Sequence, residues 1–201
     1  MKAKDVAILQ AMVFSYRTIK SSTEGIFKEK GSKFLAFAFP VKDEGEIKTH
    51  LQTLRKKYFD ATHHCYAYVL GAERKDFRAV DDGEPGHSAG TPILNQIRSR
   101  EITNVLVVVV RYFGGTKLGV SGLVHAYKLA AEEALNQAAI IEIEITSAII
   151  LEYDFAFTPT VMRLVKDFEL AIKSENYQSS VRLLVDVKLK WKEKNSRQKK
   201  F

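Results

Sequence analysis

Between Asp81 and Pro92 the chain reads DDGEPGHSAGTP, which sets three carboxylates and a histidine among three glycines and two prolines. Asp81, Asp82 and Glu84 are of the residue type that holds a hard cation such as Mg²⁺, which takes one or two carboxylates and keeps several waters. His87 in the same loop would supply the base of a metal-assisted hydrolysis. The same residues suit a solvated turn, and no cofactor follows from them with certainty. A second loop, Gly114-Gly115-Thr116-Lys117-Leu118-Gly119-Val120-Ser121-Gly122, lies between an apolar run and a helical pattern. Glycines let a backbone approach a ligand closely, and a helix N-terminus presents unpaired N–H groups with partial positive charge. The spacing fits neither the Walker A loop nor the dinucleotide pattern, because Gly119 is followed by Val120-Ser121 rather than Lys-Ser/Thr. Anion binding and a tight structural turn both remain open for this loop.

Arg111 closes a run of valines, where a charged group leaves a buried strand. Guanidinium and carboxylate match in fork geometry, so Arg111 is expected to pair with Asp81, Asp82 or Glu84. That pairing would bring the acidic and glycine loops together around a pocket carrying both signs of charge, with Gly114, Gly115, Lys117 and Ser121 on one side. His63 and His64 are further candidates for its lining. As neighbours on a strand they face opposite ways and do not share one ion. Cys65 has Ala67 and Val69 on its own face, which favours a core thiol over a nucleophile.

The elements that must position these residues follow from periodicity. Phe14 to Ile19 alternates like a strand, and Lys33 to Val41 is a nearly continuous apolar run preceded by Gly31-Ser32. Ile47, Leu51, Leu54 and Tyr58 mark a helix that Asp43 and Glu46 open as a capping-box pair. Its outer face carries Lys48, Arg55, Lys56 and Lys57. His64 to Leu70 reads as a strand, followed by a charged loop through Arg78. Thr91 is the expected N-cap of a short helix with Pro92 at its first position and Ile93, Leu94 and Ile97 on one face. Asn104 to Val110 reads as a strand buried on both faces, and Leu123, Tyr127, Ala130, Ala134 and Leu135 mark a long helix that Ser121 would cap. Beyond Gln137 the stretch IIEIEITSAIILEYDF reads as strand. Thr158-Pro159 then opens a helix with Val161, Leu164, Val165 and Phe168 on one face, and strands follow at Ala171 to Ser174 and Ser180 to Leu189. The β-α-β-β order is that of the first four elements of a ferredoxin-like half. These readings predict an extension over 1–12, an α+β domain over 13–144, a smaller domain over 145–189 and a basic tail over 190–201.

The formal net charge is +7, but Lys188 to Lys200 holds seven basic residues against Glu193, so +6 belongs to this end and about +1 to everything else. Lys192, Lys194, Arg197, Lys199 and Lys200, with the basic helix face, are the candidate nucleic-acid contacts, and nothing singles out DNA. Apolar runs reach only six residues, as at Val105 to Val110, and no apolar segment with a cleavage site opens the chain. No membrane partner is expected. With one cysteine there is no internal disulfide, and the cytoplasm is the expected location.

Asp81-Asp82-Gly83-Glu84-Pro85, His63-His64-Cys65 upstream, and the series Gly90, Ile93-Leu94, Ile97, Ile102, Val108-Val109-Val110, Arg111-Tyr112-Phe113-Gly114-Gly115 and Leu118-Gly119 resemble the YigZ/IMPACT family over nearly the whole chain after Met12. The resemblance implies an N-terminal α+β domain with the fold shared by a small-subunit ribosomal protein and domain four of elongation factor G. It implies a smaller ferredoxin-like domain similar to domain five of that factor. Only twelve residues follow Leu189, so that domain is expected to lack its second helix and fourth strand. No catalytic set carries over. Eukaryotic members are similar to translational regulators that interfere with activation of an amino-acid-starvation kinase, a role tied to an additional N-terminal domain for which this sequence leaves no room. The reading favoured at this level is a non-enzymatic module associated with RNA or the ribosome. A metal-assisted hydrolase, the peptidase-like label of some members, and a protein-binding regulatory module are the alternatives.

Overall fold

The computed structural model describes residues 13–190, an α+β chain. It divides into two compact units, one spanning Tyr16–Ile143 and the other combining the chain up to Ser15 with the chain from Glu144.

The larger unit is built on a sheet of β2 (Thr23–Glu29), β3 (Ser32–Pro40), β4 (His63–Leu70), β5 (Asp76–Val80) and β6 (Val105–Tyr112), ordered β2-β3-β6-β4-β5 and antiparallel throughout. β1 (Ser15–Ile19) pairs separately with β7 (Ile140–Glu144). The valine run is the central strand for a physical reason: both faces of the sheet are covered. Leu106, Val108 and Val110 pack with α1 (Glu44–Lys57) on one side. Val105, Val107 and Val109 pack with α2 (Gly90–Ser99) and α3 (Gly119–Asn136) on the other. All six are fully buried, and each such side chain contributes roughly 1.5–3 kcal/mol through removal from water.

The edge strands are where expectation and structure part. β2 and β5 were not expected as strands, the latter falling in the predicted charged loop. An edge strand pairs on one side only, so both carry charged residues, and β5 is almost wholly exposed. A two-residue turn at Lys30 (φ 43°) and Gly31 (φ 79°) joins β2 to β3, the left-handed geometry a tight hairpin requires.

The start of α1 is as expected, and those of α2 and α3 differ. Asp43 caps α1, accepting from the Glu46 N–H at 2.9 Å, while the Glu46 carboxylate accepts from the Lys42 N–H at 2.8 Å. α2 begins at Gly90, one residue ahead of Thr91, and α3 begins at Gly119 with Ser121 inside its first turn; neither helix has a side-chain cap from its own N-cap residue.

The smaller unit holds β8 (Thr146–Tyr153), a 3-10 turn at Phe155–Phe157, α4 (Thr158–Asp167), β9 (Ala171–Tyr177) and β10 (Val181–Lys188), with sheet order β8-β10-β9. Val165 of α4 is buried with Val181, Leu183 and Val185. Leu164, expected on the same face, is 45% exposed, because α4 covers the sheet through Val161 and Val165 instead.

Candidate functional site

The three carboxylates of the acidic loop enter three separate networks. Asp81 receives the Ala89 and Gly90 N–H groups on Oδ1 at 3.0 and 2.8 Å and the His87 N–H on Oδ2 at 2.8 Å. It is therefore the cap that α2 lacks locally. Burial pushes its carboxyl up, yet the three backbone N–H bonds outweigh this and hold it below the usual aspartate value. Asp82, in the left-handed region at φ 44°, accepts from the His64 N–H at 2.7 Å and from Arg55 at 3.2 Å. Its own carbonyl accepts from His63 Nδ1 at 2.8 Å; a carbonyl can only accept, so His63 carries a proton on Nδ1.

Glu84 turns inward. Its Oε1 accepts from Arg111 Nη1 at 2.6 Å and from the Tyr127 hydroxyl at 2.7 Å, with His63 Nε2 at 3.8 Å. The Glu84 and Arg111 side chains are 4% and 6% exposed, a desolvated ion pair rather than a surface one. Arg111 also donates to Ser32 Oγ at 3.4 Å, while its Nε has no partner among the described residues. Its guanidinium lies 5.4 Å from the Phe34 ring and 5.6 Å from the Phe113 ring. Cys65 Sγ lies 3.0 Å from the Asp81 carbonyl and 3.3 Å from the Tyr127 hydroxyl. Burial pushes the Cys65 thiol and the Tyr127 phenol up, so both stay protonated at neutral pH.

Of the three carboxylates offered to Arg111, the structure gives it Glu84. The proposed shared Mg²⁺ ligands do not converge: Asp81, Asp82 and Glu84 have the separate partners just described. Among the described residues no group of three or more His, Cys, Asp or Glu side chains is arranged to hold a metal ion. His87 sits at φ 63° in the exposed loop with Nδ1 3.2 Å from Thr91 Oγ1. His64 faces the other side of the sheet, buried beneath the last turn of α1 near the Leu54 and Tyr58 carbonyls, and burial pushes its pKa down.

The glycine loop meets the cluster from the far side. The Gly114 N–H donates to Ser32 Oγ at 3.2 Å, and a Cβ on Gly114 would fall 1.9 Å from the Gly31 carbonyl carbon, so only glycine permits the contact. Gly115 has φ 84° and open space around it. Glu84, Arg111, Phe113, Lys117, Val120 and Leu123 line a cleft of about 470 Å³ at the start of α3. Lys117 and Ser121 are both exposed there, and Ser121 is not among the lining residues. Tyr127 and Ser32 are members of the cluster that the sequence reading missed. Tyr127 was placed on the apolar face of its helix; a buried tyrosine needs a partner for its hydroxyl, and that requirement was the available signal.

The basic face of α1 forms a second feature. Lys48, Arg55, Lys56 and Lys57 are exposed. A groove of about 340 Å³ runs between α1 and the β4–β5 edge, lined by Lys48, Arg55, Arg78, Tyr66, Tyr68 and Glu44 among others. Strand register sets Tyr68 opposite Arg78. The Tyr68 hydroxyl donates to Glu44 at 3.0 Å, and burial, with that carboxylate, pushes its phenol up to about 12. The tail candidates Lys192, Lys194, Arg197, Lys199 and Lys200 lie outside the described residues.

A family model described as the Impact N-terminal domain matches residues 30–135. IMPACT family member YvyE of Bacillus subtilis (strain 168) is 32% identical over 170 residues, 85% of this chain and 78% of that protein. IMPACT family member YigZ of Escherichia coli (strain K12) is 37% identical over 110 residues, 54% of each chain. A crystal structure described as that of a hypothetical protein superposes with a TM-score of 0.70 at 27% identity, covering 93% of this chain and 92% of its own. The matched span runs from the β2–β3 turn into the last turn of α3, and so contains the acidic loop, Arg111 and the glycine loop. On these grounds the chain belongs to the IMPACT family.

Proposed function

We propose that this chain is a non-enzymatic RNA-associated module of translational control, meeting single-stranded RNA directly or on the ribosome. The observation that carries this reading is the groove between α1 and the sheet edge, where Lys48 and Arg78, beside an Arg55 that is paired with Asp82, stand against the single carboxylate of Glu44 around Tyr66 and Tyr68. Cations that follow a backbone, with aromatic rings beside them for bases, are what sequence-tolerant single-strand binding requires. The acidic loop is compatible with a phosphate chain nearby, because Asp82 is paired with Arg55 and Glu84 with Arg111, while Asp81 is taken up by backbone N–H groups. That same dispersal favours binding over hydrolysis at this loop. Family membership and the resemblance to elongation-factor domains support the translational setting. The β-α-β-β order of the smaller unit with its sheet order β8-β10-β9 supports a partial ferredoxin-like reading of that unit.

The test is fluorescence anisotropy of a labelled single-stranded RNA as a function of salt, on the full chain and on Lys48→Gln/Arg78→Gln. Each lost phosphate contact removes roughly 0.7 from the slope of log affinity against log salt, so the pair is expected to remove about 1.4. An unchanged slope would take the groove out of the RNA reading.

A further inference from the structure

Phe59 is the most exposed large apolar side chain among the described residues, at 83%, and its ring enters neither core cluster of the larger unit. The local structure explains this. Tyr58 closes α1, its N–H donating to the Leu54 carbonyl at 2.8 Å and its ring lying 5.5 Å from that of Phe37, so the residue after it is turned away from the core. The turn that follows is tied at several points. The Ala61 N–H donates to the Tyr58 carbonyl, the Thr62 N–H to the Arg111 carbonyl, the Phe113 N–H to Thr62 Oγ1 and the Tyr112 hydroxyl to Asp60. These bonds brace the turn that carries Phe59 and bring the end of β6, with Phe113 49% exposed, to the same end of the sheet.

The surroundings decide what such a ring can meet. Lys56 and Lys57 precede it and are exposed, and Lys57 Nζ lies 5.1 Å from the Tyr58 ring. The carboxylate within the turn, Asp60, is engaged by the Tyr112 hydroxyl. Along α1 the basic groove is lined from Glu44 to Arg55, and Phe59 comes four residues after Arg55, so a chain leaving the groove past Arg55 reaches this turn next. A ring among cations at the end of a cationic groove offers a stacking face that every base can use, beside charges for the phosphates. The apolar surface is two rings rather than the continuous face of an amphipathic helix, which favours a planar base over a lipid bilayer.

We propose that Phe59 is a base-stacking platform for single-stranded RNA, taking a base of the strand as it leaves the groove beside α1. Lys56 and Lys57 meet the adjoining phosphates, and Phe113 offers a face to a neighbouring base. This contact rests on the RNA reading above and extends it beyond the groove, to a residue that carries no charge.

The experiment is fluorescence anisotropy on the full chain, Phe59→Ala and Phe59→Trp, with labelled oligouridylate and with an abasic strand of the same ribose-phosphate backbone. Phe59→Ala should weaken oligouridylate about fivefold or more, the lower end for one stacked base, and leave the salt slope unchanged because no charge is lost. The abasic strand should bind the parent and Phe59→Ala equally. Phe59→Trp should bind oligouridylate at least as tightly as the parent, with RNA quenching its emission beyond that of the parent, whose single tryptophan is Trp191. Thermal unfolding checks that both variants keep the parent fold. Unchanged oligouridylate affinity in Phe59→Ala, or an equal loss on the abasic strand, would overturn the proposal. So would a loss confined to binding of phosphatidylglycerol vesicles, which would make the ring a membrane contact. If Lys48→Gln/Arg78→Gln lowers the salt slope while Phe59→Ala binds like the parent, the groove stands and the platform falls; a parent that binds no RNA removes both.

Discussion

Replacing Glu84 by Gln keeps the shape of the side chain and removes its charge, which leaves the Arg111 guanidinium buried without a counter-ion. The size of the effect follows from exposure. With the two side chains 4% and 6% exposed, the pair belongs to the desolvated class in which loss of one partner costs about 3–5 kcal/mol, against about 0–1 for a surface pair. The Gln carbonyl still accepts from Tyr127, so the lower end, about 3 kcal/mol, applies. For a unit of this size that corresponds to a drop in Tm on the order of 10 °C. Urea unfolding followed by far-UV circular dichroism measures it directly. Arg111→Met removes the other charge, and the double variant should be less destabilised than the sum of the singles by at least about 1.5 kcal/mol, because neither charge is then stranded. A cost for Glu84→Gln below about 1 kcal/mol, additive with Arg111→Met, would mean that water reaches the pair and that the inward-facing cluster is wrong.

Asp81→Asn keeps one acceptor where the carboxylate had two and removes the charge that faces the start of α2, so it should lower stability by about 1–2 kcal/mol; an unchanged Tm would refute the capping role. Burial holds the His64 pKa below its usual 6.5, so the unfolded chain takes up the proton first and stability falls as pH drops below 6.5, by at most about 1.4 kcal/mol per pH unit for this one group. His64→Leu should flatten the unfolding free energy between pH 7 and pH 5.5, and an identical slope in the variant would refute the assignment. Gly119→Ala meets no neighbour but forces φ 72° on a residue with a Cβ, so thermal unfolding should show a loss of about 1–2 kcal/mol; a neutral effect would show that the start of α3 relaxes freely.

The parts of the fold legible in the sequence are those in which one apolar pattern dominates. Val105 to Val110 has no polar face and reads at once as a central strand; Ile47, Leu51 and Leu54 repeat at helical spacing and read as a helix. β2 and β5 escape because an edge strand need not be apolar: Phe77 is 47% exposed, with Arg98 stacked 4.1 Å over its ring, and no alternation marks it. The caps show the same division. Asp43 and Glu46 act within four residues and are visible as a motif, whereas Asp81 caps a helix from eight and nine positions upstream, a contact that exists only after the loop has closed. Charge complementarity brings Arg111 and the acidic loop to mind together, but the choice of Glu84 over Asp81 and Asp82 depends on which carboxylate the left-handed turn at Asp82 and Gly83 rotates inward. No local signal encodes that rotation.

Asp81 is fastened to α2 and Glu84 to α3 and β6, with two residues between them. The segment therefore works as a stitch of fixed length joining the helical layer to the centre of the sheet. A substitution within it that keeps both anchors can change its chemistry while leaving the layers in place. One inserted residue would force a choice between the two anchors, and loosen either the beginning of one helix or the seat of the arginine.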